Sequence, residues 1–207
     1  MSRTYSVLPF VAAMAAVVVA SNFLVQFPFA HFGLQDLLTW GAFTYPLAFL
    51  VNDLTNRRYG PSAARKVVYV GFAIAVVLSI WFATPRIAVA SGAAFLIAQL
   101  LDVFVFDRLR EKLWWIAPLA GSVLGSIIDT VLFFSIAFSD RFAYLDTRFG
   151  TEDGSLGFPV PFVFGGEVPL WVSLALGDFC LKLLLSVLML VPYGALLSIV
   201  RPAVTTR

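Results

Sequence analysis

The 207 residues are 60% hydrophobic and 13% charged, with a mean hydropathy of +0.92 and a formal net charge of only +2. A water-exposed globule carries roughly 25% charged residues, so lipid must be the solvent for most of this chain, and the near-neutral balance suggests no nucleic-acid partner. The single cysteine, Cys180, excludes an intrachain disulfide and a cysteine-based metal site.

Spanning roughly 30 Å of hydrocarbon takes about 20 residues per helix. The apolar runs 7–29, 37–51, 66–83, 87–106, 114–138 and 168–191 predict six transmembrane helices, an all-α integral membrane protein with residues 1–207 as one domain. The first run opens like a secretory signal, with Arg3, an apolar stretch and small residues near Ala20-Ser21. Its apolar character persists through Phe27-Pro28-Phe29, so it is read as a retained span. Ser21, Asn22 and Gln26 lie in its outer half, as interhelical hydrogen-bond donors and acceptors or as amides for a planar ligand. His31 follows as a solvated loop residue.

The second run is short, contains Pro46, and ends in the polar stretch 52–60, read as a loop. Trp40 is either an interfacial anchor or a ring that stacks on a flat ligand. Pro85-Arg86 makes a tight connection into the fourth run, where Gln99 and Asp102 share a face. Asp102, near a helix end, is either functional or the partner of a basic loop residue. In the fifth run Gly121, Gly125 and Asp129 recur every four residues; the glycines permit close helix contact, and Asp129 has no basic residue in its own helix. Segment 139–167, rich in Gly, Pro and Phe, is long for a plain connection and is read as an interfacial element or lid. In the sixth run Asp178 and Lys182 sit four apart on one face, and Ser186 continues the stripe. They are either a neutralising pair or a ligand- or proton-carrying one. Pro9, Pro46 and Pro192 are compatible with membrane helices, where neighbours satisfy freed backbone groups.

Orientation follows from the basic residues. With the N-terminus inside, the inner segments hold Arg3, Arg57, Arg58, Arg65, Lys66, Arg108, Arg110, Lys112, Arg201 and Arg207, against Arg86, Arg141 and Arg148 outside. Both termini are therefore expected in the cytoplasm, and segment 139–167 outside.

Ionisable residues inside a span face the bundle interior and mark substrate or ion paths. Asn22, Gln26, Trp40, Gln99, Asp102, Asp129, Asp178 and Lys182 are the candidate ligand-binding residues. Asn22, Gln99, Asp129 and Lys182 are expected to converge on one cavity. Carboxylates, amides, one ammonium and abundant aromatics make a pocket for a small, planar, polar molecule. The chain has no His–Glu metal spacing, no nucleophile elbow and no phosphate loop, so no cofactor, metal or hydrolysis is expected. If uptake is ATP-driven, the motor is another subunit. An intramembrane enzyme using Asp102 and Asp129 is disfavoured, because residue counting puts them in opposite halves of the membrane. An assembly subunit built on Gly121 and Gly125 leaves the buried charges unexplained.

Ser21-Asn22, Asn52-Asp53 with Tyr59-Gly60 and Ala64-Arg65, Gln99-x-x-Asp102, and Gly125-x-x-x-Asp129-Thr130 together resemble the queuosine-precursor transporter family, within the vitamin-uptake-transporter group of small bacterial membrane proteins. The likeness runs from about Val7 to Val200. It implies a six-helix inner-membrane protein similar to the substrate-binding components of energy-coupling-factor transporters. It implies uptake of a 7-deazaguanine, such as 7-cyano-7-deazaguanine, for making queuosine in tRNA. Uptake of another planar vitamin or nucleobase is the alternative. A homo-oligomer and a separate energising subunit both remain open. Segment 139–167 is longer than the family leads one to expect.

Overall fold

Apolar runs interrupted by Gly and Pro become helices broken at those points. A computed structural model of the chain describes residues 6–24, 27, 29–31, 39–162 and 165–200. The helices are α1 (Leu8–Leu24), α2 (Gly41–Thr44), α3 (Leu47–Tyr59), α4 (Pro61–Phe82), α5 (Pro85–Leu109), α6 (Ile116–Phe138), α7 (Ala143–Phe149), α8 (Leu170–Leu188) and α9 (Leu190–Leu196). Gly60, at φ 83°, makes the turn between α3 and α4, and Pro61 opens α4 where a missing N–H costs nothing. Pro85 opens α5 in the same way, beneath a Thr84 cap. Pro192 cannot donate to the carbonyl of Leu188, and α8 gives way to α9 at Met189.

Among the described residues, four helical stretches are long and apolar enough to cross a membrane: Pro61–Phe82, Pro85–Leu109, Ile116–Phe138 and Leu170–Leu196. With 17 residues, α1 is shorter, and α3 has 13. Polar and charged side chains share the buried interior with apolar ones, while large apolar side chains cover the outside. Asn52, Arg86, Gln99, Asp102, Asp129 and Lys182 are buried, whereas Ile80, Trp81, Phe104, Val131, Leu184 and Val191 are exposed. This is a multi-pass membrane protein, consistent with its composition. One apolar cluster gathers Met14, Val18, Ala48, Val67, Phe95 and Val103, and a second joins Leu54, Phe106, Ala117 and Tyr193.

The structure corrects the second run. The polar stretch read as a loop is the body of α3, with Asn52, Asp53, Thr55 and Asn56 buried. Its polarity is used inside the bundle: the Asn52 amide donates to the Gln99 carbonyl at 3.1 Å, and Asn56 to the Val103 carbonyl at 3.1 Å. Four-residue spacing puts both asparagines on the face turned toward α5.

The long segment after α6 is ordered by hydrogen bonds. A 3₁₀ turn (Asp140–Phe142) and α7 lead to a hairpin of β1 (Pro159–Pro161) and β2 (Glu167–Pro169), paired antiparallel through Val160 and Val168. Its strands are short and proline-flanked, as edge strands are. Arg86, counted from sequence as a connection residue, is fully buried and fastens this segment. It donates to the carbonyls of Ile136 (2.8 Å) and Ser139 (2.5 Å), pairs with Asp146 at 2.7 Å, and reaches Ser155 at 3.1 Å. Asp153 lies 3.5 Å from the same guanidinium. The hydroxyl and amide of Ser155, helped by Arg86, hold the exposed Asp153 carboxyl below its usual range.

Candidate functional site

Where α6 meets α8, three ionisable side chains close on one another. Lys182 donates to Asp178 on its own helix at 2.5 Å and to Asp129 across the interface at 2.6 Å. The four-residue spacing predicted the first contact. The second answers how a carboxylate with no base in its own helix is tolerated: the ammonium comes from α8. Thr130 donates to Asp178 at 2.8 Å, and the Tyr45 hydroxyl donates to the other oxygen of Asp129 at 2.9 Å. Lys182 also sits 5.7 Å from the centre of the Tyr45 ring. Two carboxylates face one ammonium, leaving one formal negative charge in a site almost shut off from solvent.

This triad forms part of the wall of a cavity of about 420 Å³, within the roughly 300–1,000 Å³ usual for small-molecule sites. The remaining wall is mainly apolar and aromatic: Tyr45, Phe82, Phe95, Phe133, Phe134 and Phe138, with Ser21, Asn22, Ser79 and Ser91 as neutral polar groups. The lining comes from the C-terminal halves of α1, α4 and α6, the N-terminal half of α5, the stretch from Thr39 to Ala48, and Leu174, Asp178 and Lys182 of α8. The cavity therefore lies in the half of the bundle toward the α4–α5 turn and segment 139–162. Ser21 and Thr44 share a hydrogen bond of 3.0 Å in the wall.

The expected convergence holds for Asn22, Asp129 and Lys182, joined by Asp178. Asn22 lines the cavity while its amide N–H bonds the Val18 carbonyl at 2.9 Å, so it is not the interhelical link that its spacing suggested. Gln26 falls outside the described residues. Trp40 does not line the cavity, although Thr39 and Gly41 do; its ring packs 4.9 Å from Phe29, with His31 and Phe43 close by. Tyr45 and Thr130 were missed as site residues. Thr130 could have been found as the neighbour of a buried aspartate, and Tyr45 as the hydroxyl just before a proline kink.

Gln99 and Asp102 do not join this cavity, which corrects the expected convergence for Gln99. They sit further along α5, against α3 and α6, in a second polar centre. Asn52 donates to Asp102 at 2.8 Å, and no basic loop residue pairs with that carboxylate among the described residues. A Cβ on Gly121 would collide with the Asp102 carboxylate, so the glycine makes room for it. A Cβ on Gly125 would come 2.6 Å from the Phe49 ring. The Gly121–Gly125–Asp129 stripe thus touches first the second centre, then Phe49, then the cavity. Eight residues of helix put the two centres about 12 Å apart along α6.

A family model described as "Putative vitamin uptake transporter" matches residues 39–84 and 78–196. A protein of Escherichia coli (strain K12) named "Queuosine precursor transporter" is 34% identical over 204 residues, covering 88% of this chain and 82% of that protein. A "Probable queuosine precursor transporter" of Haemophilus influenzae is 34% identical over 216 residues, covering 89% of this chain and 83% of its own length. One from Bacillus subtilis is 28% identical over 148 residues, covering 58% of this chain and 64% of its own. No solved structure matches.

Proposed function

The chain belongs to the vitamin uptake transporter family, and from that premise we propose that it imports a queuosine precursor, a 7-deazaguanine such as 7-cyano-7-deazaguanine, across a bacterial inner membrane. The observation that carries the reading is the Asp129–Lys182–Asp178 triad in the wall of an aromatic cavity. One edge of a deazaguanine presents N–H donors beside a carbonyl acceptor. Carboxylate oxygens accept from the donors, the ammonium donates to the carbonyl, and charge-assisted bonds of this kind are roughly twice as strong as neutral ones. The flat bicycle stacks against Tyr45, Phe95, Phe133 or Phe134. Asn22, Asp129, Asp178 and Lys182 are the proposed substrate contacts. Both carboxylates are held by Lys182, which suits a binding site better than a catalytic acid–base pair, so we read the protein as a transporter and not an enzyme.

In this reading α1 and the α2–α3 pair complete a six-span bundle, the whole chain forms one domain, and both termini are cytoplasmic, with segment 139–167 on the outer face. An architecture like that of energy-coupling-factor substrate-binding components, and a separate energising subunit or a second copy, belong to the same proposal.

The test uses a strain that neither makes the precursor nor has an importer for it. Expression of this chain should make tRNA queuosine follow external 7-cyano-7-deazaguanine. Absence of queuosine at verified membrane expression would refute the proposal.

A further inference from the structure

The second polar centre has an unbalanced set of hydrogen-bonding atoms. Asn52 and Asn56 of α3 spend their N–H groups on α5, leaving their side-chain oxygens buried and unpartnered. One oxygen of Asp53, the side-chain oxygen of Gln99 and one oxygen of Asp102 are also buried and unpartnered among the described residues. Among the described residues these five acceptors outnumber the unpartnered donors beside them, which include Gln99 Nε2 and Arg57 Nη2. Gln99 is completely buried, and its amide makes no side-chain hydrogen bond at all. Buried polar groups are ordinarily satisfied, and each exception calls for an explanation.

The charges are unbalanced in the same sense. Asp53 and Asp102 are both buried, and Asp53 lies within electrostatic reach of Asp102 and of Arg57, one turn along α3. Arg57 is itself anchored to the Tyr193 hydroxyl at 3.0 Å and the Arg110 carbonyl at 2.8 Å, with Phe106 beneath its guanidinium. Arg110, which pairs with Asp107 at 3.2 Å, also donates to the Asn56 backbone carbonyl at 3.3 Å, so its charge is shared with Asp107 at the edge of the centre. From α3 come Asp53 and Arg57, from α5 Asp102, from α9 Tyr193; the described part of α6 packed there contributes Gly121 and no charge. Two carboxylates and one facing guanidinium leave a single negative charge among surplus oxygen acceptors. That composition takes up one monovalent cation, as a proton shared between carboxyl and amide oxygens or as a sodium ion coordinated by them.

We infer that Asp53 and Asp102, with the amide oxygens of Asn52, Asn56 and Gln99, form a binding site for one monovalent cation whose movement is coupled to that of the cargo. The inference rests on the transport reading above. Its position supports the coupling. The site lies beyond the cavity along α3, α5 and α6, and the buried Phe49 ring, beside Tyr45 on one side and Gly125 on the other, separates the two. A change of charge at Asp102 acts on the helices that carry Tyr45, Phe95 and Asp129, all of which line the cavity. Proton and sodium are the two sources of the same chemistry, and the gradients below separate them.

The full chain is reconstituted in liposomes with the membrane potential clamped. Labelled 7-cyano-7-deazaguanine is followed in two modes, counterflow with no gradient and accumulation against an inward gradient of protons or of sodium. One-to-one coupling to a tenfold gradient sets an accumulation of about tenfold. The wild-type protein should reach it with one of the two cations, whereas Asp102→Asn and Asp53→Asn should keep counterflow and accumulate nothing above equilibrium. Wild-type protein that equilibrates under both gradients, or variants that still accumulate about tenfold, would overturn the inference. If the cargo assignment is wrong, even wild-type counterflow is absent, and infrared spectroscopy of the purified protein then decides. A carboxyl band that changes on titration with protons or sodium in the wild type and is lost in Asp102→Asn supports the site. Identical spectra in the two proteins refute it, and the same measurement decides for a variant that fails in counterflow.

Discussion

Lys182 is the single cation between two buried carboxylates, and removing its charge alone or with theirs separates architecture from recognition. The side chains of Lys182, Asp129 and Asp178 are 7%, 6% and 15% exposed, so solvent screens these contacts little. Lys182→Met leaves both carboxylates without a counter-charge, and breaking a buried pair in this way costs about 3–5 kcal/mol. Replacing all three as Asp129→Asn, Asp178→Asn and Lys182→Met removes every charge at nearly constant volume. Such neutralisation is commonly neutral or stabilising by about 1–4 kcal/mol. Binding responds differently. Each lost contact between cargo and a charged group is worth about 1.5–3 kcal/mol, or roughly tenfold to more than a hundredfold in affinity. The expected pattern is therefore a poorly accumulating, heat-labile single variant beside a triple variant of wild-type stability that imports at least about tenfold less. Thermal unfolding by fluorescence-detected size exclusion reads the first quantity, and initial uptake at matched membrane abundance reads the second. A triple variant that imports at the wild-type rate would show the triad to be structural only. A Lys182→Met protein as stable as the triple variant would show that the carboxylates do not depend on the lysine.

Tyr45→Phe removes the donor to buried Asp129 and keeps the ring, so stability should fall by about 1.5–3 kcal/mol, the worth of a hydrogen bond to a charged group; thermal unfolding checks this, and uptake is compared at matched expression. Gly121→Ala and Gly125→Ala drive a Cβ into Asp102 and Phe49 and should each destabilise by about 1–3 kcal/mol. Gly177→Ala, where a Cβ meets open space, should be neutral or stabilising by up to about 1 kcal/mol, and thermal unfolding compares the three. Arg86→Met strands the buried Asp146 and should cost about 3–5 kcal/mol, read as a lower melting temperature and faster proteolysis within 139–162. A depressed carboxyl contributes above its unfolded pKa and loses that contribution as pH falls through its folded one. Asp153 should therefore hold its place at neutral pH and release Ser155 only below the ordinary aspartate range of about 3.9, visible as an acid-side increase in cleavage near Gly154.

The spans were legible because hydrocarbon demands long apolar runs, and the Asp178–Lys182 contact because one turn of helix fixes its geometry. Contacts between helices were not. Asp129 and Lys182 are 53 residues apart, and nothing local in either helix names the other. Gln99 and Asp102 were correctly read as inward-facing. Residue counting gives depth, however, and not which neighbour a side chain meets, so Gln99 was expected in a cavity that it does not line. The body of α3 was hidden for a related reason. Its asparagines look like loop chemistry until α5 is present to accept their hydrogen bonds. Arg86 looked like a turn residue beside Pro85, yet its partners follow 50 to 69 residues later.

The lysine that α8 contributes bears on how the chain is assembled, since synthesis proceeds from the N-terminus. Asp129 leaves the ribosome 53 residues before Lys182, an interval of about 3–10 s at ordinary rates of synthesis. Throughout it, α6 carries a carboxylate without its ammonium, a charge that costs roughly 2.5–3.5 kcal/mol at the centre of a lone span. The insertion machinery must therefore shelter α6 until α8 arrives. The last long helix then does more than fill the remaining space: its entry supplies the ammonium that Asp129 on its predecessor lacks.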